Sequence, residues 1–282
     1  MKPAAFAYAK ARSLDHAIEL LGRHDGQARV LAGGQSLIAT LNMRLDAPDL
    51  LVDINRVAGL DCIARRNGYI EIGALVRHAA AERSDVIRRE APLIARAMPH
   101  IGHPAIRNRG TVGGSIALAD PAAELPACLL ALGGEVEIAG AQGRRTVAAD
   151  AFFKGLFDTA LGSGDVLTAI RVPAAAPATR TGFAEFSRRH GDYALVGLAA
   201  SATAEGRSLR DVRLAYFGVG ATAVRARQAE AALIGTGLDA AVAALEQDLA
   251  PEDEVQASAA VKRQLAGVLL RRVAAQLTEQ SA

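Results

Sequence analysis

The hydrophobic and polar positions near the start of the chain follow a helical period and then a strand period. Residues 13–21, SLDHAIELL, begin with a typical helix-capping serine and place apolar residues on one helical face, namely Leu14, Ala17, Ile18 and Leu21. ARVLAGG is typical of a buried strand that runs into a glycine turn, and leucines recur every fourth residue in SLIATLNMRL. With LLVDI as a further strand, this order predicts strand, tight turn and helix.

The middle of the chain alternates strand patterns with helical patterns. YIEIGALV and GDVLTAIRVP predict strands, EVEIAGAQGRRTVAA predicts a hairpin, and the apolar AAELPACLLAL predicts a helix. Residues 79–98, AAAERSDVIRREAPLIARAM, predict one longer amphipathic helix. Residues 101–115, IGHPAIRNRGTVGGS, carry so much Gly, Pro and Asn that they predict a functional loop.

A change of composition near residue 176 predicts a domain boundary. Residues 173–182, PAAAPATRTG, combine prolines and small residues that resist regular structure, which is typical of a linker. After it, three strand patterns (GFAEFSRR, ALVGLAASATAEG and VRLAYFGVG) precede helical patterns around AVRARQAEAALIG, AAVAALEQDLA and SAAVKRQLAGVLLRRVAAQL. Strands followed by helices predict an α+β lobe.

Composition narrows the class of protein. The 282 residues are 51% hydrophobic and 22% charged, and no apolar run approaches the roughly 20 residues that span a bilayer. Charged residues interrupt the N-terminal segment early, so we expect a cytoplasmic protein without a secretory signal. A net charge of +2 without long charge runs does not support nucleic-acid binding. Cys62 and Cys128 fit no CxxC pattern, so this chain alone builds neither a zinc site nor an iron–sulfur cluster.

Two glycine pairs stand out, in AGGQS at residues 32–36 and TVGGS at residues 111–115. Glycine lets the backbone approach a ligand closely, and exposed N–H groups at a helix start attract anionic oxygens. Two such turns that converge on one pyrophosphate would satisfy both of its phosphoryl groups. Each turn alone is equally compatible with an ordinary strand-to-helix corner, and neither matches GxGxxG or GxxxxGK[ST].

Other candidate sites have less support. His100 and His103, with His78 and His190 elsewhere in the chain, provide at most a partial metal site, because no carboxylate or cysteine lies close by in sequence. Arg107 and Arg109 either neutralise phosphate charge or hold the loop by salt bridges, and we favour the structural role. No nucleophile-elbow pattern supports hydrolase chemistry.

Three stretches carry a resemblance to a known family: AGGQSLIATLNMRL, RNRGTVGGSIALADPAAELPACLLAL and RRHGDYALVGLAA. Together they closely resemble the FAD-binding subunit of molybdenum hydroxylases, the family of the medium subunit of aerobic carbon monoxide dehydrogenase. LAYFGVGATAVRARQAEAALIG resembles the closing segment of that family. The resemblance implies an α+β fold: a two-part FAD-binding domain of the vanillyl-alcohol-oxidase or PCMH type, about residues 1–55 and 56–176, and a smaller C-terminal domain, residues 177–282, with three strands plus helices.

The resemblance also implies which residues bind FAD. The first pyrophosphate turn would comprise Ala32, Gly33, Gly34, Gln35 and Ser36, with Leu37 at the start of the next helix, and the second would comprise Thr111, Gly113, Gly114 and Ser115. Asp120 and Glu124 match acidic positions near the ribose and adenine half, where carboxylates accept hydrogen bonds from hydroxyls. Tyr193 matches a position that covers the isoalloxazine ring, and Leu167 and Ile101 match apolar ring contacts.

The implied function is electron transfer within a complex. A large subunit would hold the molybdenum cofactor and a small subunit two [2Fe–2S] clusters, and the family typically doubles this heterotrimer. Electrons would then pass through FAD in this chain to a quinone, NAD or oxygen. A free-standing FAD-dependent reductase and a non-catalytic nucleotide-binding module remain alternatives. The sequence does not distinguish carbon monoxide, an aromatic heterocycle, an aldehyde or an aromatic thioester as the substrate of the molybdenum subunit.

Overall fold

Three larger β-sheets organise the chain, which the computed structural model describes for residues 2–206 and 208–279. The first sheet is parallel, in the order β1-β3-β2, and contains β1 (Ala7–Lys10), β2 (Ala28–Leu31) and β3 (Leu50–Asp53). Helix α1 (Leu14–Gly22) links β1 to β2, and α2 (Leu37–Asn42) links β2 to β3. Ser13 caps α1 by accepting a hydrogen bond from the His16 amide. The predicted strand, turn and helix order is confirmed.

The second sheet is antiparallel and has five strands in the order β4-β5-β10-β6-β7. Its strands are β4 (Ile63–Arg66), β5 (Tyr69–Gly73), β6 (Glu135–Gly140), β7 (Gly143–Ala148) and β10 (Val166–Pro173). A short helix, α9 (Ala149–Phe152), and a two-stranded ribbon, β8 (Phe153–Gly155) and β9 (Asp158–Thr159), lie between β7 and β10. The predicted hairpin and strands are confirmed.

The single long helix predicted over residues 79–98 is wrong. The structure has α3 (His78–Arg83), α4 (Asp85–Glu90) and α5 (Pro92–Ala97), followed by a short 3-10 helix, Met98–His100. Ser84 has an extended backbone and caps α4 by accepting from the Ile87 amide. Ala91 leaves the helical region with φ −138° and ψ 55°, because Pro92 lacks an N–H and restricts the residue before it.

The loop predicted over residues 101–115 is partly helical. The structure has α6 (Pro104–Arg107) and α7 (Val112–Leu118) there. Pro104 occupies the first turn of α6, and the Thr111 hydroxyl caps α7 by accepting from the Gly114 amide at 3.0 Å. Gly113 and Gly114 therefore lie inside the first turn of a helix. The next predicted helix, α8 (Glu124–Ala131), is confirmed.

The C-terminal lobe has an antiparallel sheet in the order β11-β12-β13-β14, covered by helices. Its elements are β11 (Thr179–Ser187), β12 (Ala194–Glu205), β13 (Ser208–Phe217), β14 (Val224–Arg225), α10 (Arg227–Gly235), α11 (Leu238–Asp248) and α12 (Ala259–Glu279). The three predicted strands are present. The two-residue β14 adds an edge strand to the sheet, and it lies where the sequence predicted the start of a helix.

Helix α8 joins the C-terminal lobe to the rest of the molecule. Its residues are all buried, and its C-terminal carbonyls accept hydrogen bonds from the C-terminal sheet. Arg213 on β13 donates to the Leu130 carbonyl at 3.0 Å, and Ser201 on β12 donates to the Ala131 carbonyl at 2.5 Å. Phe183 and Phe217, which stack at 5.9 Å, belong to the same hydrophobic core as the second sheet. None of the helices in residues 2–206 and 208–279 is long and apolar enough to cross a membrane.

We predict that Gly197→Ala destabilises the C-terminal lobe. A Cβ at Gly197 would lie 1.9 Å from Cζ of the buried Phe217, so the ring must move within a packed core. Such overpacking costs about 1–3 kcal/mol of unfolding free energy. Urea unfolding measures the loss, with Gly220→Ala as the control because a Cβ there meets open space. Equal midpoints for both variants would contradict the close packing of Gly197 against Phe217.

Candidate functional site

The two glycine segments touch each other through their backbones. A Cβ built on Gly33 would lie 2.4 Å from the Arg109 carbonyl oxygen and 2.9 Å from the Gly110 Cα. Any side chain at Gly33 would therefore push the two segments apart. The segment after β2 and the segment before α7 converge, as the sequence hypothesis requires.

A pair of polar side chains holds this contact in place. Asn55 donates from Nδ2 to the Ala32 carbonyl at 2.8 Å and accepts at Oδ1 from Arg77 Nη2 at 2.6 Å. The Arg77 guanidinium also donates to the Arg109 carbonyl. Arg107 bonds Glu82 at 2.9 Å and the Gly102 carbonyl at 2.9 Å, which agrees with the structural role predicted for it. Asn55 and Arg77, which bond each other, thus hold the carbonyls of Ala32 and Arg109, one on each side of the contact.

The two segments offer different hydrogen-bonding groups. In the first, no acceptor among the described residues engages the amides of Gly33, Gly34, Gln35 and Ser36, and Gly34 has φ +75°, which glycine tolerates. In the second, the Gly113 amide donates to the Ala74 carbonyl at 3.0 Å, and the amides of Gly114 and Ser115 donate to Thr111. The hypothesis that both glycine pairs expose free amides is therefore wrong for the second pair.

Gly113 is required for packing between elements. A Cβ there would lie 2.5 Å from the Ala74 Cβ, whereas a Cβ on Gly114 would meet only the Thr111 Oγ1 at 2.8 Å. Gly113 lets α7 lie directly against the chain that leaves β5, and Gly114 keeps the surface of the helix start free of a side chain. The second segment contributes hydroxyls and open space: the Thr111 oxygen accepts from Gly114, so its proton is free to donate outward.

A cavity of about 750 Å³ lies along both segments. This volume is in the usual range for a small-molecule or cofactor site. Every residue that the sequence assigned to FAD lines it: Ala32, Gly33, Gly34, Gln35, Ser36, Leu37, Ile101, Thr111, Gly113, Gly114, Ser115, Asp120, Glu124, Leu167 and Tyr193. Gln35 donates from Nε2 to the Gly33 carbonyl at 3.0 Å and so braces the first turn.

Acidic side chains and Tyr193 share one part of the cavity wall. Burial raises the pKa of Asp120 and raises the pKa of Glu124 to about 8, with the negative charges of Glu185 and Asp120 adding to the shift at Glu124. Burial and the charges of Asp120 and Glu124 also raise the pKa of the Tyr193 phenol. These three groups therefore interact electrostatically. An extended FAD separates its ring from its adenine, and the electrostatic coupling of these groups favours one common end of the cavity for them over a division between the adenine half and the ring.

His78 is a buried wall residue that the sequence considered only as a remote metal ligand. Its Nδ1 lies 3.0 Å from where a Cβ on Gly110 would be, and both ring nitrogens are buried without a hydrogen-bond partner in the described chain. Burial lowers the pKa of His78 to about 4, with the charges of Arg107 and Arg77 adding to this. The Thr111 backbone offsets part of the shift but does not reach hydrogen-bonding geometry. The imidazole is therefore neutral at pH 7.

The sequence analysis missed a further part of the wall. Arg29 on β2 binds Asp46 at 2.8 Å and the Gly26 carbonyl at 2.6 Å, and both charged residues line the cavity. The turn before β10 lines it as well, through Leu161, Gly162, Ser163 and Asp165, and Asp165 holds this turn by accepting from the Gly162 amide at 2.6 Å. The GSGD motif at 162–165 was the available signal, since Gly, Ser and Asp are typical turn residues.

Family models match the two halves of the chain separately. Residues 4–175 match the FAD binding domain in molybdopterin dehydrogenase, and residues 181–277 match the CO dehydrogenase flavoprotein C-terminal domain. The chain belongs to this family. It is an FAD-binding medium subunit of molybdenum hydroxylase-type complexes, and hence an oxidoreductase subunit whose cofactor is FAD.

Individual relatives align along nearly the whole of this medium subunit. The alpha subunit of the 6-hydroxypseudooxynicotine dehydrogenase complex of Paenarthrobacter nicotinovorans is 41% identical over 98% of this chain and 95% of its own. The carbon monoxide dehydrogenase medium chain of Hydrogenophaga pseudoflava is 34% identical over 96% of each chain. A solved carbon monoxide dehydrogenase from that organism, which lacks the Mo-pyranopterin moiety, superposes with a TM-score of 0.97 at 35% identity over 100% of both chains. The predicted fold and family are confirmed.

We predict that His78 makes this subunit less stable in acid. The unfolded chain binds a proton at His78 near pH 6.5 and the folded chain only near pH 4, so unfolding free energy falls as pH decreases through that window. The shift corresponds to a loss of about 3 kcal/mol at pH 4 relative to pH 7.5. Urea unfolding across this range should show a shallower pH dependence for His78→Gln than for wild type, whereas the exposed-site control His103→Gln should follow wild type. Parallel curves for His78→Gln and wild type would contradict this prediction.

Proposed function

We propose that FAD lies along the cavity with its diphosphate between the two glycine segments and its isoalloxazine ring at the Tyr193 end. The cofactor-binding residues would be the fifteen predicted from sequence, with Asp120 and Glu124 reassigned to the ring end. The observation that supports this placement of FAD is the backbone contact between Gly33 and residues 109–110, which brings both segments to one cavity. Different groups of these residues would contact different parts of FAD.

The chemistry of the cavity wall fits this cofactor. The unpaired amides of residues 33–36 suit anionic oxygens, and the hydroxyls of Thr111 and Ser36 supply further donors without adding positive charge. Buried Ile101 and Leu167 provide apolar wall, and exposed Tyr193 provides an aromatic face for a ring. Arg29 and Asp46 would then lie toward the adenine, where charged and polar groups meet the edge of a base.

We infer that this chain relays electrons. FAD supplies the exchange between one-electron carriers and a two-electron acceptor, and this chain's part is to bind it, orient it and limit access to its ring. Electrons would arrive from [2Fe–2S] clusters of a small subunit, after substrate oxidation at a large molybdenum subunit, and leave to an external acceptor. Medium chains of carbon monoxide dehydrogenase are the relatives that support such partners, and we propose a dimer of heterotrimers.

We also propose a domain boundary near residue 176. The chain between Pro173, the last residue of β10, and Thr179, the first of β11, has no regular structure. The first domain would comprise residues 1–176, divided near residue 55 between its parallel and antiparallel sheets, and the second residues 177–282. The first division follows β3 and the second follows the last strand of the antiparallel sheet.

We predict that Ser36→Ala weakens FAD binding about tenfold or more. The Ser36 hydroxyl makes no capping bond, so removing it leaves α2 intact while it deletes one donor to a charged phosphate, about 1.5–3 kcal/mol. The measurement is the FAD dissociation constant from quenching of flavin fluorescence. Ser208→Ala, at the exposed start of β13, should bind as wild type. Equal affinity in Ser36→Ala and wild type would remove the first segment from the phosphate site.

We predict that electrons reach this subunit only through its partners. In the complex purified with its large and small subunits, substrate should bleach the flavin absorbance under anaerobic conditions. A preparation of the FAD-loaded medium subunit alone should remain oxidised with the same substrate. Reduction of the isolated subunit by a small organic substrate would instead favour a free-standing FAD-dependent reductase.

A further inference from the structure

Four protonatable side chains form a connected set from the cavity wall to the surface of the C-terminal lobe. Glu124 lines the cavity and is 8% exposed, and the side chain of Glu185 on β11, whose charge acts on Glu124, is 3% exposed. Nδ1 of His100 lies 3.2 Å from Oε1 of Glu185. The His100 ring meets the ring of exposed His190 edge-on, with centroids 5.7 Å apart. The set therefore runs from solvent to the Tyr193 end of the cavity.

One of the two oxygens of the buried Glu185 carboxyl lacks a hydrogen-bond partner in the described part of the chain. Its Oε2 is buried and has no hydrogen-bond partner among residues 2–206 and 208–279. Leaving such an atom unpaired costs about 1–3 kcal/mol, more for a charged group. The negative charge of Glu185 opposes the ionisation of Glu124. Burial of Glu124, together with this charge, therefore favours the protonated form of the Glu124 carboxyl.

Within residues 2–206 and 208–279, the charged groups that shift the pKa of Glu124 are both acidic. Asp120 precedes α8, Glu185 lies on β11, and Tyr193 lies in the loop before β12; each is acidic. Burial raises the pKa of the Cys128 thiol, one turn further along α8, and the charges of Glu124 and Glu185 add to this shift. Arg213, on a strand packed against α8, bonds the opposite end of the helix at Leu130, and Arg225 on β14 bonds Glu230. The net charge around Glu124 therefore depends on whether its carboxyl is protonated.

We propose that Glu124 and Glu185 form a redox-linked proton site, which takes up one proton when bound FAD is reduced and exchanges it with solvent through His100 and His190. The proposal rests on the proposed FAD site, with its ring at the Tyr193 end. In this proposal, Glu124 and Glu185 hold a proton near the ring, and neither forms a covalent bond to FAD.

The charge balance follows from two-electron chemistry. Two electrons and one proton enter the ring, which gains one net negative charge, and an iron–sulfur partner or dithionite supplies the electrons. That charge makes ionised carboxyls nearby less stable, so the pair binds one proton from solvent. The pKa of Glu124 is about 8 without this charge. Above that pH, the carboxyl is ionised before reduction and protonated after it.

The test is the midpoint potential of the flavin in the purified complex, measured by spectroelectrochemistry between pH 6 and 10. In a two-electron couple, each coupled proton adds about 30 mV per pH unit to the slope. We expect the wild-type slope to steepen by this amount above about pH 8. Glu124→Gln should show no steepening, and the exposed control Glu246→Gln should follow wild type. Identical slopes in wild type and Glu124→Gln would overturn the proposal.

Glu185→Gln decides the outcome if Glu124→Gln fails to retain FAD. Glu185 does not line the cavity, so its variant should keep the cofactor. Removing its charge should lower the pH at which the slope steepens, because Glu124 then ionises more easily. If the slope steepened at the same pH in Glu185→Gln and wild type, the proposal would be overturned. Flavin absorbance separates this from the proposed function: wild type without FAD overturns both, whereas bound FAD with an ordinary pH dependence overturns only the proton site.

Discussion

The cavity exists because two stretches of backbone meet where neither carries a side chain. Gly33 lies against the Arg109 carbonyl and Gly110, and no other residue type fits at that separation. This contact brings the turn after a strand of the parallel sheet to the helix start that packs on the antiparallel sheet. Arg77 and Asn55 then hold both stretches from behind by hydrogen bonds to their carbonyls. The distance between the two sheets, and hence the width of the cavity, follows from this arrangement.

Hydrogen-bonding capacity is divided unequally between the two stretches. Amides after β2 have no partner among the described residues, while those at the start of α7 are already bonded to Ala74 and Thr111. Away from the glycine segments, the wall becomes acidic, with half-buried Asp120 and buried Glu124, and burial together with their charges raises the pKa of the Tyr193 phenol. One cavity therefore combines a donor-rich centre with an end whose charge depends on protonation. An extended molecule with a charged middle and a redox-active ring matches both.

The sequence predicted the family, the fold and fifteen residues that line the cavity, because glycine pairs, hydrophobic periodicity and the three family-like stretches are local in the chain. It did not predict the breaks at Ser84 and Ala91, since helical periodicity continues through residues that cap and terminate helices. It treated Gly113 as a ligand contact, whereas only the structure shows Ala74 against it. The sequence also did not predict the grouping of Glu124 with Glu185, because 61 positions separate these two residues, which interact electrostatically in the fold.

The wall at Tyr193 is shared between both lobes of the chain. Gly191 approaches the Gly102 carbonyl so closely that a Cβ would lie 2.8 Å from it, and His100 binds Glu185 across the same junction. Recombination between relatives that exchanged only the C-terminal lobe would therefore replace Tyr193, Glu185 and His190, while it would leave the glycine segments, Asp120 and Glu124 of the first lobe in place. One end of the cavity would then combine wall residues inherited from two different parents.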